Sequence, residues 1–304
     1  MGHREVGAAG WTLVDVPGSV QRIDALAADG AGRLLVGVVT PADSTEVRVQ
    51  AGDPSNWESL GRSGGGAVLA LSASGHWAGP TGVHGTGGPL VTWPDREITH
   101  AALADGPGGA VVWALVAAGD VPGTARLARG TGPAVVSDAD AVDLPTGTEA
   151  IAVTDVAAWA LDDAATRRRL GDDPSVHPFA GTSPALSAVG VLDDASGRIA
   201  VARQLNGEVF VGPADDPAGF LSRGAQSNAT VRGLVADPED PSRLLAGSFG
   251  VYSNAGPAAA WEPLNAGFRP YEEFLLDRIA VITLEVLVGG ALWSGGENGE
   301  GPYR

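Results

Sequence analysis

The sequence predicts an all-β protein, a seven-bladed β-propeller with four antiparallel strands per blade. Three observations predict it. A short apolar strand recurs seven times, aromatic residues recur every 41 positions, and glycine and proline punctuate the whole chain. The 304 residues carry 44% hydrophobic and 18% charged side chains, enough apolar content for a large core. The 45 glycines and 21 prolines follow no collagen period and form no single linker, so they read as many turns between many strands.

The recurring strand is the first and innermost of each repeat, and it usually ends at Asp or Ser. Its copies are Ile23–Asp29, Val68–Ser74, Ala101–Asp105, Ala150–Asp155, Ala188–Asp193, Val231–Asp237 and Arg278–Ile282. Their alanines and glycines suit strands crowded around a central channel. A second apolar run follows most copies, as at Arg33–Val39, Ala110–Ala117, Arg198–Ala202, Arg243–Gly247 and Glu285–Val288. A more polar third strand and then an aromatic come next. Phe179, Phe220 and Trp261 are spaced by 41 residues each, and Trp57 precedes Phe220 by 163 residues, four periods of nearly 41. Asp53-Pro54-Ser55-Asn56-Trp57 matches Asp216-Pro217-Ala218-Gly219-Phe220 in register. A period near 41 fits the roughly 40–45 residues of a four-stranded blade. The aromatic is expected to fill the gap between blades.

Gly10–Gly18, with Trp11 in the aromatic position, reads as a fourth strand that precedes the first inner strand. The last repeat stops after Ala291–Ser294, read as its third strand, so the N-terminal strand is expected to complete it and close the ring. One domain over 1–304 results, with blades near 19–61, 62–98, 99–145, 146–182, 183–224, 225–268, and 269–304 joined by 10–18. A pair of β-sandwiches or a parallel β-helix is the competing fold. A sandwich needs no 41-residue period, and β-helix coils are shorter.

Composition excludes several chemistries. With no cysteine there is no disulfide, thiolate metal site, iron–sulfur cluster or cysteine nucleophile. All 19 basic residues are arginine, so a Walker A lysine and a lysine Schiff base are also excluded. The net charge of −17 argues against nucleic acid and against anionic membranes as partners. No apolar run approaches the roughly 20 residues of a membrane span, and Met1–Val6 lacks the apolar stretch of a secretory signal. A cytoplasmic location is the expectation. No cofactor and no metal is expected.

Val235-Ala236-Asp237-Pro238, Leu244–Gly247, Gly250-Val251-Tyr252-Ser253 and Ala260–Phe268 together resemble the BNR or Asp-box repeat, whose family includes sialidases and the sortilin ectodomain. The resemblance covers about 35 residues. It implies propeller blades. The spacing from Tyr252 to Trp261 fits the repeat, but the position of the family's aspartate falls on Gly256. The polar side chain that pins the turn is therefore expected to be missing in this blade, while Asp215 stands at the corresponding place in the fifth. The sialidase arginine motif is absent, so no catalytic residue is carried over.

Other motifs read more plainly. Gly61-Arg62-Ser63-Gly64-Gly65 has the G-x-S-x-G form of a nucleophile elbow, but a glycine run and a strand follow it where a helix is needed. His76, His84 and His100 match no zinc spacing. The doublets Asp162-Asp163, Asp172-Asp173, Asp193-Asp194 and Asp215-Asp216 lack calcium-loop spacing and read as turns.

One constellation comes from the repeat itself. The connections from each outer strand to the next inner strand open on one face, around the channel mouth. These connections or strand starts carry Arg22, Arg62, Arg96, Arg223 and Arg269, with Arg232 just inside an inner strand and Tyr271 and Glu272 nearby. Guanidinium groups form bidentate bonds to carboxylates and phosphates. The expected function is non-catalytic: a propeller face that binds a protein partner or a small anionic or polar ligand. Pairing of each arginine with a local acid, as Arg96 with Glu97, is the competing reading. The alternative function is a carbohydrate-active hydrolase or lyase that uses paired carboxylates such as Glu149 and Glu272–Glu273.

Overall fold

The computed structural model describes residues 2–5, 12–13, 16, 18, 20–29, 33–42, 44–51, 56–94, 96–106, 111–117, 124–130, 134–135, 142–143, 150–153, 158–161, 166–170, 176–178, 186–193, 198–203, 207–213, 216, 219–225, 231, 233–236, 240, 242–247, 251–264, 278–282 and 291–295. All regular structure among them is β-strand.

The strands β1 (Gly2–Glu5) and β2 (Thr12–Leu13) come first. A first sheet follows from β3 (Arg22–Ala28), β4 (Leu34–Val39), β5 (Ser44–Gln50) and β6 (Trp57–Gly64). The second holds β7 (Ala70–Leu71), β8 (Trp77–Gly79), β9 (Gly82–Gly85) and β10 (Gly88–Thr92). The third runs β11 (Ile98–Asp105), β12 (Val111–Ala117), β13 (Thr124–Gly130), and β15 (Val142–Asp143), while β14 (Ala134–Val135) leaves it to pair in parallel with β10.

The fourth sheet is β16 (Ala150–Val153), β17 (Ala158–Leu161), β18 (Thr166–Leu170) and β19 (Val176–Pro178). The fifth is β20 (Leu186–Asp193), β21 (Arg198–Arg203), β22 (Glu208–Pro213) and β23 (Leu221–Ala225). The sixth is β24 (Gly233–Ala236), β25 (Leu244–Gly247), β26 (Val251–Asn254) and β27 (Trp261–Pro263). Finally β28 (Arg278–Ile282) and β29 (Ala291–Gly295) join β1 and β2 in the order β2-β1-β29-β28.

Each recurring apolar strand thus sits at one end of its sheet. These seven strands touch one another in order, β3 to β7, β11, β16, β20, β24 and β28, and β28 lies against β3. Small residues permit this approach. The outer strands begin where the aromatics stand: Trp57 opens β6, Phe220 directly precedes β23, and Trp261 opens β27. Trp11 and Phe179 lie outside the described residues.

The last sheet differs from expectation. Ala291–Gly295 is its second strand, paired along its length with β28, and the N-terminal segment supplies two strands where one was expected. The third position is taken by Gly2–Glu5, with Gly2 opposite Ser294 and Glu5 opposite Ala291, and Thr12–Leu13 lies outside it. The reason lies in the pairing: β29 lies directly against β28, so two positions were left for the N-terminal segment to fill. Glu285–Val288, read as a second strand, is outside the described residues.

The core lies between neighbouring sheets. Strands β4 and β12 are buried along both faces, because a sheet on either side covers each. Side chains alternate across β4: Leu34, Val36 and Val38 pack with Ile23, Trp57 and Val16, whereas Leu35 packs with Val47, Val49, Val68 and Trp77 of the first and second sheets. Val91, Trp93, Ile98, Val111, Trp113 and Leu115 fill the next seam, and Ala200, Val209, Val211, Leu234 and Leu244 fill that between the fifth and sixth sheets.

Polar side chains fasten the seams that the apolar ones fill. Asp24 Oδ2 accepts the Val68 amide at 2.9 Å, and Thr45 Oγ1 donates to the Gly66 carbonyl at 3.1 Å. Trp77 is 1% exposed and its Nε1 donates to Ser63 Oγ at 3.2 Å. The outer edge of its ring meets Gly61, where an added Cβ would stand 2.5 Å from Cη2. Between the fifth and sixth sheets Trp261 Nε1 donates to the carbonyls of Arg223, at 3.0 Å, and Gly224, at 3.3 Å.

A cleft and two fastened seams as candidate functional sites

In an antiparallel four-stranded sheet the connection to the next inner strand and the hairpin between second and third strands share one end. On that face the first and second sheets open a cleft of about 560 Å³. Gly64, Gly65 and Gly66 form one wall, where β6 ends and the chain turns toward β7. Pro80 and Thr81, from the hairpin between β8 and β9, form another, and Pro94, Arg96 and Glu97 come from the connection into β11. Gly66 has φ +91°, a left-handed conformation suited to glycine, and the Pro80 ring occupies the space a Cβ there would need. The cleft therefore pairs an apolar proline surface with one cation and one carboxylate. Behind it Thr81 Oγ1 and His84 Nε2 are 3.3 Å apart, and His84 stacks on Trp77 at a centroid distance of 5.7 Å. Burial pushes the His84 imidazole below its ordinary pKa.

The arginines named from the sequence go to different places. Arg96 lines the cleft. Arg62 lies within β6 and pairs with Glu46 Oε2 at 3.3 Å. Since Gly61 and Ser63 face Trp77, alternation puts Arg62 on the opposite side of its sheet from the cleft. Arg223 is within β23 and is buried in the seam with the sixth sheet. Arg22 opens β3 opposite Val39. Arg232, Arg269, Tyr271, Glu272, Glu273 and Glu149 lie outside the described residues. Ser63, in the G-x-S-x-G segment, is on a strand with its hydroxyl bonded by Trp77, and the next element is the strand β7.

Sequence reasoning missed three polar clusters. Glu46 is buried and meets Arg48 at 3.0 Å as well as Arg62. Burial alone would raise its pKa. The hydrogen bonds from Arg48 and Ser59 and the two arginine charges outweigh that and hold it below the ordinary carboxylate range.

The second cluster joins the second and third sheets at the opposite face. Asp105 ends its inner strand and accepts the Ser74 amide at 2.8 Å and the Ser74 hydroxyl. Ser74 Oγ also meets His76 Nδ1, and Ser72 Oγ accepts the His76 amide at 3.3 Å. Burial opposes ionisation of Asp105, yet the hydrogen bonds from His76, Ser74 and Ser72 bring its pKa down to about 2. A carboxylate so acidic is a poor proton acceptor. The serine donates to it, and the trio works as a fastening. The repeated Asp or Ser at the end of each inner strand was the available sequence signal.

The third cluster corrects an expectation. The turn between β26 and β27 is pinned, not by a residue at Gly256, but by Asn254 two positions earlier. Its Oδ1 accepts the Gly256 amide at 3.2 Å and its Nδ2 donates to the Ala259 carbonyl at 2.7 Å. A carboxamide that is both donor and acceptor spans the turn from a fully buried position, so an aspartate is not needed. Asp215 lies outside the described residues.

No protein-family model and no curated protein sequence matches the chain. Solved structures do. The WD40 β-propeller domain of Doa1 superposes with a TM-score of 0.58 at 12% identity, covering 93% of each chain. An extracellular domain assigned to a hybrid two-component system, BT4673 from B. thetaiotaomicron, superposes with a TM-score of 0.59 at 12% identity over 94% of this chain. The match spans 38% of that longer protein. The likeness shows a β-propeller fold.

Proposed function

We propose that this propeller is a non-catalytic binding protein, and that its cleft face engages a protein partner or a small anionic or polar ligand. The carrying observation is the cleft of about 560 Å³, within the range of ligand sites, with Arg96 and Glu97 beside Pro80 and Pro94. An apolar surface with a few polar groups is the usual chemistry of recognition. Arg96 supplies bidentate donors and Glu97 an acceptor. The seven blades form a closed ring in this reading, bounded near the limits read from the repeat. The cyclic contacts of the inner strands and the pairing of Gly2–Glu5 with Ala291–Gly295 support that closure. The blades are of the degenerate Asp-box type, which the Asn254-pinned turn favours.

Calorimetry against carboxylates, phosphates and sugar acids tests the reading, alongside turnover assays with glycans and lactones. Binding that is lost in Arg96→Ala and kept in Arg62→Ala is expected. Binding indifferent to Arg96 and Glu97, or hydrolysis of any of the sugars, would reject it.

A further inference from the structure

A nearly buried cation stands in the seam between the fifth and sixth sheets, away from the cleft. Arg223 projects from the outer strand β23 into this seam and is only 5% exposed. A guanidinium carries five N–H donors and cannot shed its charge. Here it makes one long hydrogen bond, from Nη1 to Asn254 Oδ1 at 3.5 Å, and that oxygen is shared with the Gly256 amide. No carboxylate pairs with it among the described residues. Burial, and after it the repulsion of a second cation, Arg198 on β21, disfavour the guanidinium charge, while Glu208 on the neighbouring strand accepts from the Ser222 hydroxyl.

Buried charges in folded proteins are paired, because an uncompensated one is strongly destabilising. Buried polar groups likewise find partners. The surroundings also leave a way in. Among the described residues the one fully enclosed side-chain nitrogen or oxygen without a partner is Gln50 Nε2. Nε and Nη2 of Arg223 donate no hydrogen bond to the described residues, and neither is among such enclosed atoms. The residues on either side, Ser222 and Gly224, are exposed. The seam thus holds a nearly buried guanidinium whose donors are largely unused among the described residues, with exposed residues on both sides of it and a second positive charge in the same sheet.

We infer that this seam is a binding site for a small oxyanion, a carboxylate or a phosphate, held by Arg223 and attracted by Arg198. Two oxygens of the anion take the donors of Arg223 that the described residues leave unused, in the side-by-side geometry guanidinium favours. Bound there, the anion offsets the desolvated charge, so it stabilises the fold as well as occupying the seam.

The test uses the full chain carrying Arg96→Ala, so that the cleft does not contribute. Inorganic phosphate and acetate are titrated at constant ionic strength, by calorimetry and by thermal unfolding. Saturable binding and a rise in Tm are expected, both abolished by Arg223→Met and weakened several-fold by Arg198→Gln. Arg223→Met is also expected to unfold no earlier than its anion-free parent, since it removes an unpaired buried charge. If that variant does not fold, Arg198→Gln and the direct calorimetry of the parent still decide. Absence of saturable binding by both anions, or binding unchanged in Arg223→Met or in Arg198→Gln, overturns the inference.

Discussion

Substitution of Gly61 tests how the first two sheets are fitted together. A methyl group at Gly61 would lie 2.5 Å from Cη2 and 3.2 Å from Cζ3 of Trp77. The ring cannot withdraw: it is fully buried among Leu35, Val47, Val49 and Val68, and its Nε1 is tied to Ser63. Overpacking of this kind costs about 1–3 kcal/mol. Against that, alanine in a strand gains roughly 0.5–1 kcal/mol over glycine. Gly61→Ala should therefore destabilise by about 1–2 kcal/mol. Trp77→Leu removes the ring edge and costs about 3 kcal/mol, by the scale of large-to-small core substitutions. In that background the Gly61 methyl enters vacated space, and the second substitution should be neutral or stabilising. The cycle predicts a favourable coupling of about 2 kcal/mol, measured by urea unfolding of the four proteins and followed by circular dichroism. Costs that add to within about 0.5 kcal/mol would refute the contact, since independent sites behave that way.

Three other outcomes follow from the seams. The Asp105 carboxylate titrates near 2 in the folded protein, against an ordinary 3.8. Its stabilisation is present in full above the unfolded value and is lost as pH falls from there through about 2. With its side chain 32% exposed, solvent screening reduces the effect to about 1 kcal/mol, so Asp105→Asn should flatten the acid limb of the stability profile by that amount. Asn254→Ala strips the Gly256 amide and the Ala259 carbonyl of their partners and should cost about 2 kcal/mol in chemical denaturation. Because the chain has no cysteine, paired cysteines report the register of the joining sheet without interference. Of Arg4→Cys with Leu292→Cys, and Glu5→Cys with Ala291→Cys, one adjacent pair should oxidise readily and cross-link β1 to β29; failure of both would reject that register.

The recurring inner strands and the aromatics Trp57, Phe220 and Trp261 are legible in the sequence because both recur. Recurrence is legible when each repeat meets the same demand: a small apolar strand at the crowded end, a large ring at the outer seam. The last sheet departs from the repeat spacing, since Ala291–Gly295 is its second strand. There the missing members come from nearly 300 residues away in the chain, and local spacing carries no information about such a partner. The same limit applies to the arginines. Their positions relative to the repeat were visible, but a strand sends alternate side chains to opposite faces. A difference of one residue separates Ser63, which meets Trp77, from Arg62, which pairs with Glu46 on the other side.

Asn254 shows the remaining distinction. Its chemical capacity to pin a turn is written in its identity, whereas its position opposite both Gly256 and the guanidinium of Arg223 is not. Amino-acid identity and period by themselves determined a repeating all-β chain, free of thiol and lysine chemistry, with aromatics at its outer seams. The tertiary structure alone decided which sheets meet, which arginines are paired, and which one enters a seam without an acid among the described residues. Those outcomes depend on how neighbouring sheets pack, and packing brings together residues that no local pattern relates.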